Sequence, residues 1–475
     1  MDVHVSLSGS GDLTSRIYHQ LLDAVLDGRL RPGDRLPPTR ELASRLKVAR
    51  STVAIAYDRL AAEGFVTARV GAGTFVASTA MRPRPRKAPS GSGVRPRPLW
   101  TELAVDDAAP AAPPPHDFRL GTPEPGLFPF ATWRRLLSGE VRASAVRAAG
   151  GYTEAAGHSG LRAAIARYLG VSRSVRAGAD DVLITNGAQQ ALDLIGRVLI
   201  EPGDVVAVEE PGYPAARLLF QSLGARVVGV PVDDEGLVVN ALPTSARLVY
   251  VTPSHQFPLG MPLSPARRAA LLNWAEAHEA VIVEDDYDSE FRYGDRPLDP
   301  LQRLDRTGRV VYVGTFSKTL LPLLRLGFLI APASLLPALG KAKRLTDWHS
   351  EHVGQAALAE LIDSGELSRH VRRATRVYGE RRDLILTALR GDLAEWVEPV
   401  RSAAGLHLAA RLKPAVSVDL DAVLARAGER GVVVENLAAY GSGERGLAFG
   451  FGAATGITEG MRLLSDCFRA EAASP

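Results

Sequence analysis

Apolar residues first recur at helical spacing: Leu13, Ile17, Leu21 and Val25, widened by Leu22 and Leu26. That stripe predicts an amphipathic helix, with Asp12 as its N-cap and Gly28 as its stop. Arg31-Pro32-Gly33-Asp34 then reads as a turn. Leu36-Pro37-Pro38 reads as extended chain, because a proline disfavours helix in the residue before it. A second helix is expected over 40–46 with Thr39 as its cap. A third is expected from a Ser51 cap to about residue 63, with Val53, Tyr57 and Leu60 facing inward. Gly64 ends it, and residues 65–68 and 73–76 alternate around Val70-Gly71-Ala72, which predicts a short hairpin. Further on, short apolar runs rich in β-branched residues at 182–185, 205–208, 248–251, 281–283 and 310–313 are separated by helical stretches. This alternation predicts an α/β body with a mainly parallel sheet, whose ligand groups follow the C-terminal ends of the strands.

Between the two patterns, residues 78–117 contain nine prolines and few large apolar residues. Proline removes backbone donors and favours extended chain, so the segment reads as a semi-rigid linker. The expected division is a head at 1–77, this linker, and a body at 118–475. Over all 475 residues, 46% are hydrophobic and 23% charged, which excludes a mostly disordered chain, a collagen or a coiled coil. No run approaches the roughly 18 apolar residues of a membrane span, and the N-terminus lacks a basic-then-apolar signal. A cytoplasmic location without a membrane partner is expected. Cys467 is the single cysteine, so an internal disulfide is excluded and no metal site is expected. Charge is uneven: residues 1–100 hold 16 Lys/Arg against 8 Asp/Glu, and the whole chain is +3, so the rest is net negative. Either the head meets nucleic acid or a basic tail aids solubility. Arg82, Arg84, Arg86, Lys87, Arg95 and Arg97 in the linker allow the same two readings.

Helix, short helix, turn, helix, hairpin is the order of a winged helix-turn-helix, although a plain interaction module has the same order. In the winged geometry the N-terminal residues of the third helix, here Arg50, Ser51 and Thr52, reach base edges in the major groove. Arg40 faces a phosphate or base, and Arg69 at the hairpin tip reaches the minor groove. The stretch LRPGDRLPPTRELASRLKVARSTVAIAYDRLAAEGFVTARVGAGTFVA resembles the DNA-binding domain of GntR-type bacterial regulators. The resemblance implies contacts to double-stranded operator DNA from Arg40, Arg50 and the backbone of the wing glycines Gly71 and Gly73. Pro37-Pro38 departs from the commoner Pro-Ser.

In the body, Gly187-Ala188-Gln189 opens a helix directly after a strand and presents free N–H groups to an anion, as many such turns do. Asp285 follows a buried strand and needs a partner there, which a structural pair also satisfies. Tyr287 either donates to an oxyanion or packs. Lys318 follows the hydroxyls of Thr315 and Ser317, and Arg325 sits among apolar neighbours. Jointly these groups fit pyridoxal 5'-phosphate (PLP). That cofactor needs a Schiff-base lysine, an anion for its ring nitrogen, a donor for its phenolic oxygen, a stacking aromatic and a phosphate cup. Their order is similar to fold-type I aminotransferases.

The segments ITNGAQQALDL, VEEPGYPAAR, VTPSHQFPLGMPLSPARRAALLNWA, VEDDYDSEFRYGDRPL and VYVGTFSKTLLPLLRLGFL resemble MocR-type regulators. In this GntR subfamily an aminotransferase-like domain serves as effector sensor. The resemblance implies that Lys318 is the Schiff-base lysine, Asp285 pairs with the ring nitrogen, Tyr287 meets the phenolic oxygen and Tyr213 stacks on or edges the ring. Gly187, Ala188 and Gln189 bind phosphate with Thr315, Ser317 and Arg325. His255 or Gln256 takes the place of the usual asparagine, with the choice open. Asn186 stands where serine is usual, and Leu259 where threonine or serine is. Arg445 is the nearest candidate for the arginine that holds the substrate carboxylate. A head-to-tail homodimer is also implied. The expected function is a PLP-binding transcriptional regulator that senses PLP or an amino compound, with vitamin B6 or amine metabolism genes as compatible targets. The alternative is an active aminotransferase with an accessory DNA-binding head. A body that no longer holds PLP is disfavoured, since each expected group is present.

Overall fold

Three helices and a hairpin make the first of two units, Met1–Pro96: α1 (Leu13–Leu26), α2 (Thr39–Leu46), α3 (Arg50–Ala62), β1 (Val66–Arg69) and β2 (Gly73–Val76). The structure is a computed structural model, and it describes residues 5–6, 12–77, 93–105, 114–142, 150–294, 298–441 and 443–473. The Asp12 carboxylate accepts from the Ser15 N–H at 3.0 Å and caps α1 as expected. Ile17, Leu21, Leu42, Val53, Tyr57 and Leu60 share one buried cluster between the helices. Two expected caps are corrected. Pro38 precedes α2 in extended conformation and its carbonyl accepts from Leu42, so Thr39 is already helical. Likewise Ala49 is extended and its carbonyl accepts from Thr52, which starts α3 at Arg50 and leaves Ser51 inside the helix and exposed. β1 and β2 pair antiparallel. Gly73 adopts φ +115° against Arg35, whose Nε lies 2.8 Å from where a Cβ would be, so a side chain there meets both backbone strain and a clash.

Arg82, Arg84, Arg86 and Lys87 lie outside the described residues, while Arg95 and Arg97 are exposed. Within the proline-rich stretch, Leu99–Glu102 forms one helical turn. His116–Asp117 forms β3, which pairs in parallel with β14 (Val432–Val433).

The second unit spans Arg97–Pro475. Its main sheet runs in the order β4 (Val182–Thr185), β11 (Gly327–Ile330), β10 (Val310–Thr315), β9 (Val281–Asp286), β8 (Ala246–Val251), β5 (Val205–Glu210), β6 (Arg226–Asp233) and β7 (Gly236–Leu237). β11 lies antiparallel between β4 and β10, and β7 antiparallel against β6; the other pairings are parallel. All five expected runs are strands of this mainly parallel sheet, buried by helices as parallel sheets require. A smaller sheet orders β12 (Val397–Pro399), β13 (His407–Leu412), β16 (Gly446–Gly450) and β15 (Glu435–Asn436). The helices Glu366–Arg390 and Ile457–Ala472 contribute to the core over it. Among the described residues no helix is long and apolar enough to cross a membrane.

Candidate functional site

Strands β9 and β10 are neighbours, β4 lies one strand further on beyond β11, and a cavity of about 360 Å³ is lined by residues at or just after the ends of these strands. It is lined by Ala188, Gln189, Tyr213, Asp285, Tyr287 and Lys318, and also by Thr315, Ser317 and Arg325. The sheet thus gathers residues that lie up to 137 positions apart, from Ala188 to Arg325.

Asp285 sits on β9, 4% exposed. Tyr250 on β8 donates to its Oδ2 at 2.8 Å, while Oδ1 is buried with no partner. Burial pushes this carboxyl up to about 7, helped by Asp286 and Asp288; the Tyr250 hydrogen bond and Lys318 oppose the shift. Lys318 is largely enclosed, and its Nζ donates to the Gly121 carbonyl at 2.8 Å. Burial lowers its pKa, against the opposing pull of Asp288 and Asp285.

The helix Gly187–Leu199 starts directly after β4, with Asn186 at its N-cap and no side chain capping its first amides. Gly187 has φ +77°, and a Cβ there would stand 2.9 Å from Arg325 Nη2. The close approach lets Arg325 donate to the Asn186 carbonyl at 2.9 Å and hold its guanidinium over the helix start. Free amides, a helix N-terminus and a guanidinium make an anion cradle. Thr315 and Ser317 sit beside it, with their hydroxyls 3.0 Å apart. Asn186 turns its amide away, donating to Asp347 at 3.1 Å.

His255 and Gln256 do not line the cavity. Both are 1% exposed. His255 Nδ1 stands 3.0 Å from Asp288 and 3.1 Å from the Tyr287 hydroxyl, so it supports Tyr287 from behind. Tyr287 also donates to the His255 carbonyl at 2.9 Å. Gln256 is spent on the Pro211 and Phe257 carbonyls. The wall position belongs instead to Phe257, an aromatic that nothing in the sequence of the Ser254–Pro258 turn sets apart. The Phe257 ring meets Tyr440, Tyr213, His407 and Tyr287 edge-on, at 5.1, 5.5, 5.6 and 6.0 Å. Leu259 is fully buried in the cluster with Met261 and Ala448, which explains an apolar residue there.

The ligand-type atoms of His255, Asp288 and His407 lie within 4.8 Å of one another. Hydrogen bonds account for this grouping, since His255 engages Asp288 and His407 Nε2 stands 3.0 Å from the Pro258 carbonyl. Arg445 does not join the site. It precedes β16, is exposed and lines no part of the cavity. In the head, Arg40, Arg50, Ser51, Arg69 and Gly71 are exposed, while Thr52 and Gly73 are partly so. Arg50 Nε reaches the Thr39 hydroxyl at 3.4 Å, and Arg69 lies over the Phe75 ring at 5.0 Å.

Residues 124–446 match the family "Aminotransferase class I and II", and residues 13–76 match "Bacterial regulatory proteins, gntR family". The probable rhizopine catabolism regulatory protein MocR of Rhizobium meliloti is 40% identical over 87% of this chain and 84% of its own length. The HTH-type pyridoxine biosynthesis transcriptional regulator PdxR of Corynebacterium glutamicum is 33% identical over 93% of this chain and 92% of its own. Among solved structures, the kynurenine aminotransferase of Pyrococcus horikoshii superposes with a TM-score of 0.69 at 31% identity, covering 74% of this chain and 90% of that one. Head and body together define a DNA-binding winged helix-turn-helix joined to a fold-type I, aminotransferase-like domain. The chain belongs to the MocR-type branch of the GntR family of transcriptional regulators.

Proposed function

We propose that the body holds PLP at Lys318 and that the state of this cavity sets how tightly the head binds operator DNA. The observation that carries the reading is Asp285 Oδ1, a buried carboxylate oxygen with no donor, on the same cavity as an enclosed lysine. An orphaned buried acceptor is costly, and the protonated ring nitrogen of PLP is the donor it lacks. The anion cradle at Gly187 and Arg325 fits the phosphate at the other end. When bound, PLP supplies an electrophilic carbonyl carbon that reacts with amines.

The chain's own residues then have separable tasks. Burial of Lys318 raises the fraction of neutral, nucleophilic amine. Asp285, with its unpartnered Oδ1, would accept from the protonated ring nitrogen. Tyr287, held by His255 and lining the cavity, would be the residue that meets the phenolic oxygen. Arg325, Thr315, Ser317 and the amides of Ala188 and Gln189 hold the phosphate. Tyr213 and Phe257, in edge-on contact on the cavity wall, would pack against the ring.

PLP or an amino compound is the effector, and a ligand shifts DNA affinity only by binding the two states of the protein unequally. The chain acts as a homodimer whose two heads read two half-sites. The names of the relatives, which refer to pyridoxine biosynthesis and to rhizopine catabolism, support vitamin B6 or amine metabolism as the regulated field.

The test is Lys318→Ala. Wild type mixed with PLP develops visible absorbance that borohydride fixes covalently, and the variant develops none. A borohydride-reducible adduct in the variant overturns the assignment.

A further inference from the structure

The cavity has a second wall, away from the phosphate cradle, formed by Leu120, Phe257, Leu406, His407, Glu435 and Tyr440. Among these there is no guanidinium or ammonium. Arg445 is exposed. The next residue, Gly446, begins β16, and a Cβ added to it would strike the Ala410 carbonyl, so this position takes no side chain. The neighbouring arginines are committed elsewhere. Arg411 donates to Asp234 at 2.9 Å and Glu444 at 3.2 Å, and the Arg119 guanidinium hydrogen-bonds to Asp117, at 2.9 Å, although its charge also reaches Glu435. His407 is held neutral, because burial and the adjacent His255 lower its pKa well below the usual value. Among the described residues, a carboxylate on the ligand therefore has no cationic partner on this wall.

What the wall does offer is an acid. Glu435, on β15, faces the cavity and accepts the Leu120 N–H at 2.7 Å through Oε1. A carboxylate accepts roughly four hydrogen bonds, so one backbone amide leaves capacity for a ligand donor. Beside it stand Phe257 and Tyr440, whose rings attract cations and repel anions at their faces. The cavity is at the small end of the roughly 300–1,000 Å³ of ligand sites, which leaves room beside the cofactor for a short chain only.

We propose that the ligand received beside Lys318 is a short primary amine without a carboxylate, whose far end is a donor, ammonium or hydroxyl, held by Glu435. The proposal rests on the PLP reading above and names the ligand class for that site. It makes Glu435 the residue that determines specificity.

The experiment uses the full chain with PLP, titrated with 1,4-diaminobutane, 4-amino-1-butanol and 4-aminobutanoate. The three share chain length and near-end amine and differ only at the far end. The change in the visible absorbance of the PLP-loaded protein gives each half-saturation. In wild type the diamine or the amino alcohol half-saturates at least about ten-fold below the amino acid. Which of the two binds tighter tells an ammonium from a hydroxyl partner. Glu435→Gln keeps the acceptor for Leu120, so it retains the PLP absorbance and reduces that advantage to about three-fold or less. Three results overturn the proposal: an amino acid that binds as tightly as both alternatives, an unchanged preference in the variant, or loss of PLP absorbance in the variant, which makes Glu435 structural. Wild type that develops no absorbance with PLP overturns the cofactor reading itself, whereas absorbance with a preference for the carboxylate overturns the ligand class alone.

Discussion

Burial pushes the Asp285 carboxyl up to about 7 from an unperturbed 3.8, and this has a measurable consequence before any ligand binds. Between about pH 4 and 7 the unfolded chain ionises this acid while the folded chain keeps its proton. The unfolded state then binds fewer protons, so the folded state loses stability as pH rises through that window. Asp285→Asn keeps an acceptor for Tyr250 and removes the titration. Without PLP, the variant is expected to gain stability over wild type by on the order of 2 kcal/mol more at pH 7.5 than at pH 5. Urea midpoints at the two values check this, and an equal gain at both pH values contradicts it. At this scale the sequence was legible where chemistry demands one residue type: Lys318, Asp285, Tyr287, Tyr213 and Arg325 all line one cavity. It was not legible at Phe257 or Glu435, because an aromatic in a turn and one acid on a two-residue strand look like any others. Arg445 failed for a geometric reason: it lies just outside β16, and its side chain stays in solvent.

Strands with β-branched runs declared themselves. β4, β5, β8, β9 and β10 carry such runs, and their polar C-terminal ends mark where the site gathers. β11 did not, because Gly-Phe-Leu-Ile after a leucine-rich turn has no period-2 pattern, and only its antiparallel pairing with β4 and β10 makes it a strand. The N-caps of α2 and α3 also misled, since a hydroxyl residue near a helix start is a cap only if the preceding backbone leaves it half outside. With its start at Arg50, α3 places Arg50 on the exposed first turn with Ser51. Arg50→Ala is expected to weaken operator binding by about 1–3 kcal/mol if it contacts a base edge. Fluorescence anisotropy at one fixed salt concentration measures this, and unchanged affinity moves recognition to other residues of the head.

At the scale of the whole chain, a basic head and a PLP-type body were both readable, because each is carried by a run of motifs rather than by one residue. The relatives that span both parts are named as regulators, which favours a sensor over a metabolic aminotransferase with an accessory head. In the function proposed above, occupancy of the Lys318 cavity is coupled to the head's affinity for DNA. The most direct measurement is that affinity, for DNA upstream of the chain's own gene, in three states: without PLP, with PLP, and with PLP plus 1,4-diaminobutane. Coupling energies of about 1–3 kcal/mol predict a change of at least about five-fold between two of the states in wild type. The same comparison in Lys318→Ala is expected to show none. Equal affinity in all three wild-type states would mean that the cavity and the head are not coupled.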